Sequence, residues 1–289
     1  MSLSRIVCVA AFSLVLTAGL FAQTPKSNWA NYNNGKVHYY DIGNHKSKNA
    51  LIFIHGWTCN ADFWKDSYAA FPGYRVIALD LPGHGQSDKP KVDFTMEYFA
   101  RSIEAVMKKA KIKHAVLVGH SMGTPVARQF YRLYPDKVSG IVVVDGLLRP
   151  IGSREDMEKG FLGPLRANYK ENEPKLVDGL LQPVKDENLK KYIRETMTAA
   201  PDYVGVSAMA GMVDPSIWTN DKLNVPVLAL MAASPWWGPD TKDSFQAVAP
   251  KIDFQMWTGV SHFLMMEKPK EFNEAVTRFI VKNKLLSKR

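Results

Sequence analysis

Cysteine is nearly absent: two residues in a chain of 289. Cys8 lies inside an apolar N-terminal run, which leaves Cys59 with no partner in the remaining chain, so an internal disulfide framework is excluded. Cys59 is therefore read as a structural thiol. No second long apolar run follows the first, so nothing beyond the N-terminus has the ~20 residues a membrane span needs. No segment recurs at a fixed period, which excludes a solenoid or propeller. There is no grouping with metal-ligand spacing, no glycine-rich phosphate loop and no dinucleotide fingerprint before a first helix. Neither a metal nor a cofactor is expected. A charge of one sign is also lacking where it would matter. The net charge is +9, but the basic residues are scattered over KIKH, KDENLKK and KNKLLSKR. No basic stripe interleaved with aromatics exists, so a nucleic-acid partner is not expected. General attraction to an anionic envelope is the most that this charge implies.

The composition itself is that of a globular domain, 46% hydrophobic and 22% charged, with 32 aromatic residues arguing against disorder. Residues 1–22 have the form of a secretory signal: Arg5, an uncharged run from Ile6 to Leu20, and a small residue, Ala22, at the expected cleavage point. The remaining 23–289 then form an exported domain, periplasmic or secreted, with no integral membrane span. The oligomeric state is not legible.

Short apolar runs recur along that domain: KVHYYDI (36–42), ALIFI (50–54), RVIALD (75–80), HAVLVG (114–119), GIVVVD (140–145), VPVLALMA (225–232) and IDFQMW (252–257). Several are β-branched and apolar throughout, as strands buried on both faces are. Helical periodicity separates them, over Thr95–Lys111, Ser121–Tyr134 and Pro269–Leu286. The alternation predicts an α/β fold, a mostly parallel sheet with helices on both faces and ligands at the carboxyl ends of its strands. The spacing breaks once. About 80 residues without a strand signal lie between Asp145 and Val225, far beyond an ordinary loop. A helical cap inserted at about 147–222 is expected there, because the strand pattern resumes afterwards.

The chemistry-bearing residues stand at strand ends. HAVLVG runs into Gly119-His120-Ser121-Met122-Gly123 and then a helix. A serine on so sharp a strand-to-helix turn is pushed out above the sheet, facing the N–H groups of the new helix. A hydroxyl needs a base to take its proton. Of the seven histidines, His262 in Gly259-Val260-Ser261-His262-Phe263 follows the last strand and so reaches the same edge. A third group must fix the imidazole tautomer. Two candidates exist, Asp145 at the end of GIVVVD and Asp240 in the loop after VPVLALMA. Developing negative charge on a substrate oxygen needs N–H donors. Met122, after the serine, and Trp57, in the turn after ALIFI, are placed to supply them.

Together these segments resemble the α/β-hydrolase superfamily, in particular its cap-bearing branch of esterases, haloalkane dehalogenases and epoxide hydrolases. The matching pieces are His55-Gly56-Trp57, Asp80-Leu81-Pro82-Gly83-His84-Gly85-Gln86-Ser87, Gly119–Gly123 and Gly259–Phe263, in the right order over ~200 residues. Many such proteins carry the acid shortly after the strand matching VPVLALMA, where this chain has Pro235. Another branch places it at the end of the preceding strand, which Asp145-Gly146-Leu147-Leu148-Arg149-Pro150 resembles. The resemblance therefore selects Asp145 over Asp240. It gives the Asp80–Ser87 loop no catalytic role.

The nucleophile sorts the reaction. Dehalogenation and epoxide opening in this branch use a carboxylate, because the alkyl ester formed must later be hydrolysed; Ser121 would form a stable ether. Acyl transfer suits a serine. The expected activity is hydrolysis of a carboxylic ester, lactone or thioester of a small apolar substrate through an acyl-enzyme. C–C bond hydrolysis, cofactor-free perhydrolysis, a non-catalytic binding protein and an envelope-attached structural protein are the alternatives. Phe161, Leu162, Leu165, Met209, Met212, Ile217, Trp218, Trp236 and Trp237 could each line a substrate pocket or merely pack the cap.

Overall fold

The computed structural model describes residues 25–287, so the proposed signal at 1–22 lies outside the described residues. The strands are β1 (Ser27–Tyr32), β2 (Gly35–Gly43), β3 (Asn49–Ile54), β4 (Arg75–Leu79), β5 (His114–His120), β6 (Val138–Val144), β7 (Val227–Ala232) and β8 (Ile252–Trp257). They form one sheet in the order β1-β2-β4-β3-β5-β6-β7-β8. The pairings from β4 across to β8 are parallel, and β1–β2 and β2–β4 are antiparallel. The expected α/β class with a mostly parallel sheet is what the chain adopts.

The central strands read as continuous apolar runs because both their faces are covered. Leu51 to Ile54, Val76 to Leu79 and Val142 to Val144 are essentially without solvent exposure. Helices α1 (Met96–Ala110), α2 (Gly123–Leu133) and α8 (Thr241–Val248) connect strands, and α9 (Leu264–Glu267) and α10 (Pro269–Lys282) follow β8. In α1 the stripe Phe99, Ile103, Val106, Met107 and Ala110 is buried, and the Thr95 hydroxyl caps the helix by accepting from the Tyr98 N–H.

Between β6 and β7 the chain leaves the sheet and forms α3 (Arg154–Met157), α4 (Gly163–Ala167), α5 (Tyr169–Leu181), α6 (Glu187–Met197) and α7 (Asp202–Val213). These helices are called the cap below. Val177, Leu181, Ile193, Val204 and Ala208 give it a core of its own. Two strong anchors fasten it to the sheet. The indole N–H of Trp57 donates to the Gly205 carbonyl of α7 at 2.8 Å. At its far end the buried Arg128 of α2 donates to the carbonyls of Leu148 and Thr219 and pairs with Asp221.

Two features depart from the sequence expectation. Strand β1, whose sequence SNWANY is too polar to signal a strand, pairs along the outer edge of β2. The helix expected to begin at Ser121 begins at Gly123, because Ser121 itself holds a left-handed φ of 51°.

Candidate active site

Four turns at the carboxyl edge of the sheet meet around one cavity. The first follows β5. Ser121 is a non-glycine residue at φ 51°, a conformation that costs energy and persists only where its surroundings impose it. Close packing imposes it here. A Cβ on Gly119 would run into the Gly123 carbonyl, and one on Gly123 would run into the Ile54 carbonyl of β3. Only glycine permits both approaches. The Ser121 N–H donates to the Val144 carbonyl at 3.0 Å and its carbonyl accepts from Thr124 at 2.9 Å, so the turn is fixed on both sides.

The second turn follows β3. Gly56 packs against the elbow: a Cβ there would lie 2.9 Å from His120 Nδ1 and 3.1 Å from the Ser121 Cβ. His55 is locked below it, with Nδ1 donating to the Gly56 carbonyl at 2.8 Å and Nε2 accepting from Leu81 N–H at 2.9 Å. Burial lowers the pKa of His55 and keeps it a neutral strut. The Cys59 N–H closes the turn onto the Gly56 carbonyl, and the Thr124 N–H closes the elbow onto the Ser121 carbonyl. Among the described residues, the backbone N–H groups of Trp57 and Met122 donate to no protein acceptor.

The third turn follows β6. Asp145 has φ 41° and only 6% exposure, and its N–H donates to the Leu230 carbonyl at 2.8 Å. Its carboxylate is fully engaged. Oδ2 accepts from His262 Nδ1 at 2.7 Å, while Oδ1 accepts from the Ala232 N–H at 2.9 Å and from Trp237 Nε1 at 3.1 Å. An ionised carboxylate only accepts, so the His262 proton sits on Nδ1 and leaves Nε2 with its lone pair. Asp240, the other candidate acid, is exposed at the start of α8 and makes no contact with His262.

The fourth turn follows β8 and carries His262. Both flanks are pinned. Glu267 accepts from the Ser261 N–H at 2.6 Å and from its hydroxyl at 2.5 Å, and the Phe263 N–H donates to that hydroxyl at 3.1 Å. His120 Nε2 donates to the His262 carbonyl at 2.9 Å. Burial, and then the neighbouring His262, drive the His120 pKa well down, so it acts as a neutral support.

The cavity holds about 160 Å³. Ser121, His262, Asp145 and Trp57 all border it. The cap supplies the opposite wall through Met157, Phe161, Leu176, Leu180, Met197, Met209 and Met212. Of the nine residues expected as possible lining, Phe161, Met209, Met212, Trp236 and Trp237 border the cavity. Leu162 and Leu165 pack the cap core instead, and Trp218 donates its indole N–H to the Met212 carbonyl. Cys59 also borders the cavity, with its pKa pushed up by burial and its thiol donating to the Trp57 carbonyl, so it stays protonated. No lysine or arginine lines the cavity, and among the described residues no cluster suits a metal ion. No helix among them is long and apolar enough to cross a membrane.

A family model described as alpha/beta hydrolase fold matches residues 49–191. The chain is 38% identical over 100 residues to a non-heme chloroperoxidase of Streptomyces lividans, a match covering 34% of this chain and 36% of that protein. It spans about a third of the length of that relative. It is 28% identical to a 2-hydroxy-6-oxononadienedioate/2-hydroxy-6-oxononatrienedioate hydrolase of Paraburkholderia phymatum, covering 85% of this chain and 91% of that one. Among solved structures, an esterase from Exiguobacterium antarcticum superposes with a TM-score of 0.76 at 16% identity, covering 89% of this chain and all of the other. Est816, described as an N-acyl homoserine lactone degrading enzyme, superposes at 0.70 and 22% identity over 87% of this chain and all of the other. At those identities the superpositions speak for the fold.

Proposed function

Because the chain belongs to the α/β-hydrolase superfamily, we propose that it is a serine hydrolase of the carboxylesterase type. It cleaves an ester, lactone or thioester of a small apolar acyl group through an acyl-enzyme. The observation that carries this reading is the 2.7 Å contact between His262 Nδ1 and Asp145, on the wall of a cavity that also holds the strained Ser121.

In this reading Ser121 Oγ attacks the substrate carbonyl while His262 Nε2 takes its proton. Asp145 keeps the imidazole in the Nδ1–H tautomer and stabilises the imidazolium. The tetrahedral oxyanion accepts from the N–H groups of Trp57 and Met122, at the start of α2 where the helix dipole also favours negative charge. Collapse of the intermediate expels the alcohol, which takes the proton back from His262. Water then attacks the acyl-enzyme with His262 again as base, releasing the acid and restoring the Ser121 hydroxyl.

The cavity argues for the class of acyl group. An engineered cavity of ~150 Å³ takes up benzene, so about 160 Å³ suits a short aliphatic or single-ring acyl chain. The relative from Paraburkholderia acts on a dioate by its name, which supports C–C hydrolysis as the second reading. A dicarboxylate needs cationic partners, and the wall here has neither lysine nor arginine. That favours a neutral substrate.

The test is hydrolysis of a p-nitrophenyl ester series, with fluorophosphonate labelling of Ser121. Short acyl chains should be turned over, Ser121→Ala should remove both hydrolysis and labelling, and an unlabelled native protein would point to a binding role. Turnover of a vinylogous 1,5-diketone in preference to every ester would establish the C–C reading. Export, proposed from Met1–Ala22, is tested by the N-terminus of the processed protein.

A further inference from the structure

The loop after β7 reaches the site twice. Trp236 and Trp237 are sequence neighbours, yet they face different partners. Trp236 is half exposed and lies against Phe161 of the cap, with ring centroids 5.7 Å apart. Trp237 turns inward, borders the cavity, and donates its indole N–H to Asp145 Oδ1. Its ring is set by an edge-to-face contact with Phe245 of α8 at 6.2 Å, and its backbone N–H closes a turn onto the Ser234 carbonyl at 3.2 Å.

We infer that Trp237 is a positioning residue for the Asp145–His262 pair, resting on the serine-hydrolase reading above. A carboxylate bound by His262 alone could swivel about its Cβ–Cγ bond. The Ala232 N–H and the Trp237 N–H both fall on Oδ1, from the strand and from the loop, and so hold Oδ2 towards the imidazole. The same two donors give the Oδ1 of a carboxylate with 6% exposure its hydrogen-bond partners. They also draw charge away from Oδ2. Removing one loosens the carboxylate and, at the same time, leaves more negative charge to face the imidazolium.

These two consequences give a signature that a merely packed tryptophan lacks. The titratable groups around His262 are Asp145 from the β6 end, neutral His120 from the β5 turn and Glu267 of α9 behind the loop, and the buried thiol of Cys59 from the β3 turn borders the same cavity. Trp237→Phe leaves all four in place, keeps an aromatic ring on the Phe245 side and removes the N–H donor together with part of the indole ring. It should lower kcat about tenfold, the worth of one hydrogen bond to a charged group, with KM for a short ester nearly unchanged. The acidic limb of kcat/KM should move to higher pH. Trp29→Phe, on the outer strand β1 and exposed to solvent, should move neither. In the unaltered protein, the indole proton of Trp237 should titrate with the midpoint of that limb, which requires no variant to fold. A Trp237→Phe enzyme with native kcat and native pH profile, or an indole resonance flat through the limb, overturns the inference. Loss of activity in Ser121→Ala alongside a native Trp237→Phe would leave the serine-hydrolase reading standing while this one falls. Retained activity in Ser121→Ala would remove both.

Discussion

The sheet edge and the cap are held together by different means. At the edge, backbone packs on backbone, Gly119 against Gly123 and Gly123 against Ile54, and Gly56 packs against the side chains of His120 and Ser121. Strain is held in place at Ser121 and Asp145, and neutral buried histidines serve as struts. The outer surface of the cap is laced with exposed ion pairs, such as Lys159–Glu155, Lys175–Glu171 and Arg194–Asp178, which contribute little individually. Its inner wall has four methionines and no charge. Methionine adapts its shape to what it packs against. One region is built to keep atoms where they are and the other to accept a range of shapes, which is the division of labour that the proposed acyl transfer requires.

The largest effect that sharpens the contrast is at the acid. Asp145→Asn should lower kcat by about 10⁴, because an amide cannot hold the same imidazole tautomer, whereas Asp240→Asn should leave steady-state rates near native. The reverse ranking in a kinetic comparison of the two would move the acid to the loop after β7. Next comes packing. Gly123→Ala should destabilise by about 1–3 kcal/mol, read as a lower urea midpoint, because its Cβ must displace the β3 backbone. In the cap, Leu180→Trp should exclude longer acyl chains while short esters change by less than about tenfold, read as a shortened chain-length profile. An equal loss for all chain lengths would mean that the cap wall is as rigid as the edge. The smallest effect belongs to the cap surface. Lys175→Ala should change stability by less than about 0.5 kcal/mol, measured by thermal melting.

Acid breaks the comparison in a different way. Burial, with neighbouring His55 adding to it, holds His84 at about 3, below the ordinary value near 6.5, and His55 and His120 are shifted the same way. These groups are neutral when folded and take up protons when unfolded. Stability should therefore be full above about pH 6.5 and fall as pH drops from there towards 3. Hydrogen exchange at pH 5 against pH 7 should show the sheet-edge turns opening, since His55 and His120 hold them and His84 packs on His55.

Much of this was legible in the chain. The seven runs mark seven of the eight strands: the central ones are apolar because both their faces are buried, while β2 and β8 are only partly buried and keep polar residues among the apolar ones. Strand β1 escaped because SNWANY is an edge strand made by its pairing with β2 and not by its own hydrophobicity. Ser121 and His262 stood out by their position after strands. Asp145 and Asp240 could not be separated by residue type or by strand-end position alone, and the resemblance that ranked them gave no contact. Met157, Leu176, Leu180 and Met197 gave no signal as pocket wall, since methionine and leucine at helical spacing look the same facing a core or a cavity. The tie from Trp237 to Asp145 was also hidden. Two adjacent tryptophans read alike, and nothing in SPWWGPD tells which indole turns inward.

The alternation of strand and helix, the glycines that allow the turn at Ser121 and the long helical insertion are written in the chain locally, because each is a demand of hydrophobic period or of backbone sterics. The tertiary structure alone decided which carboxylate meets His262, which tryptophan holds that carboxylate, and which cap side chains face the cavity. Those are contacts between residues up to 117 positions apart, and their geometry depends on how the strand ends are brought side by side, a condition that no single segment of the chain contains.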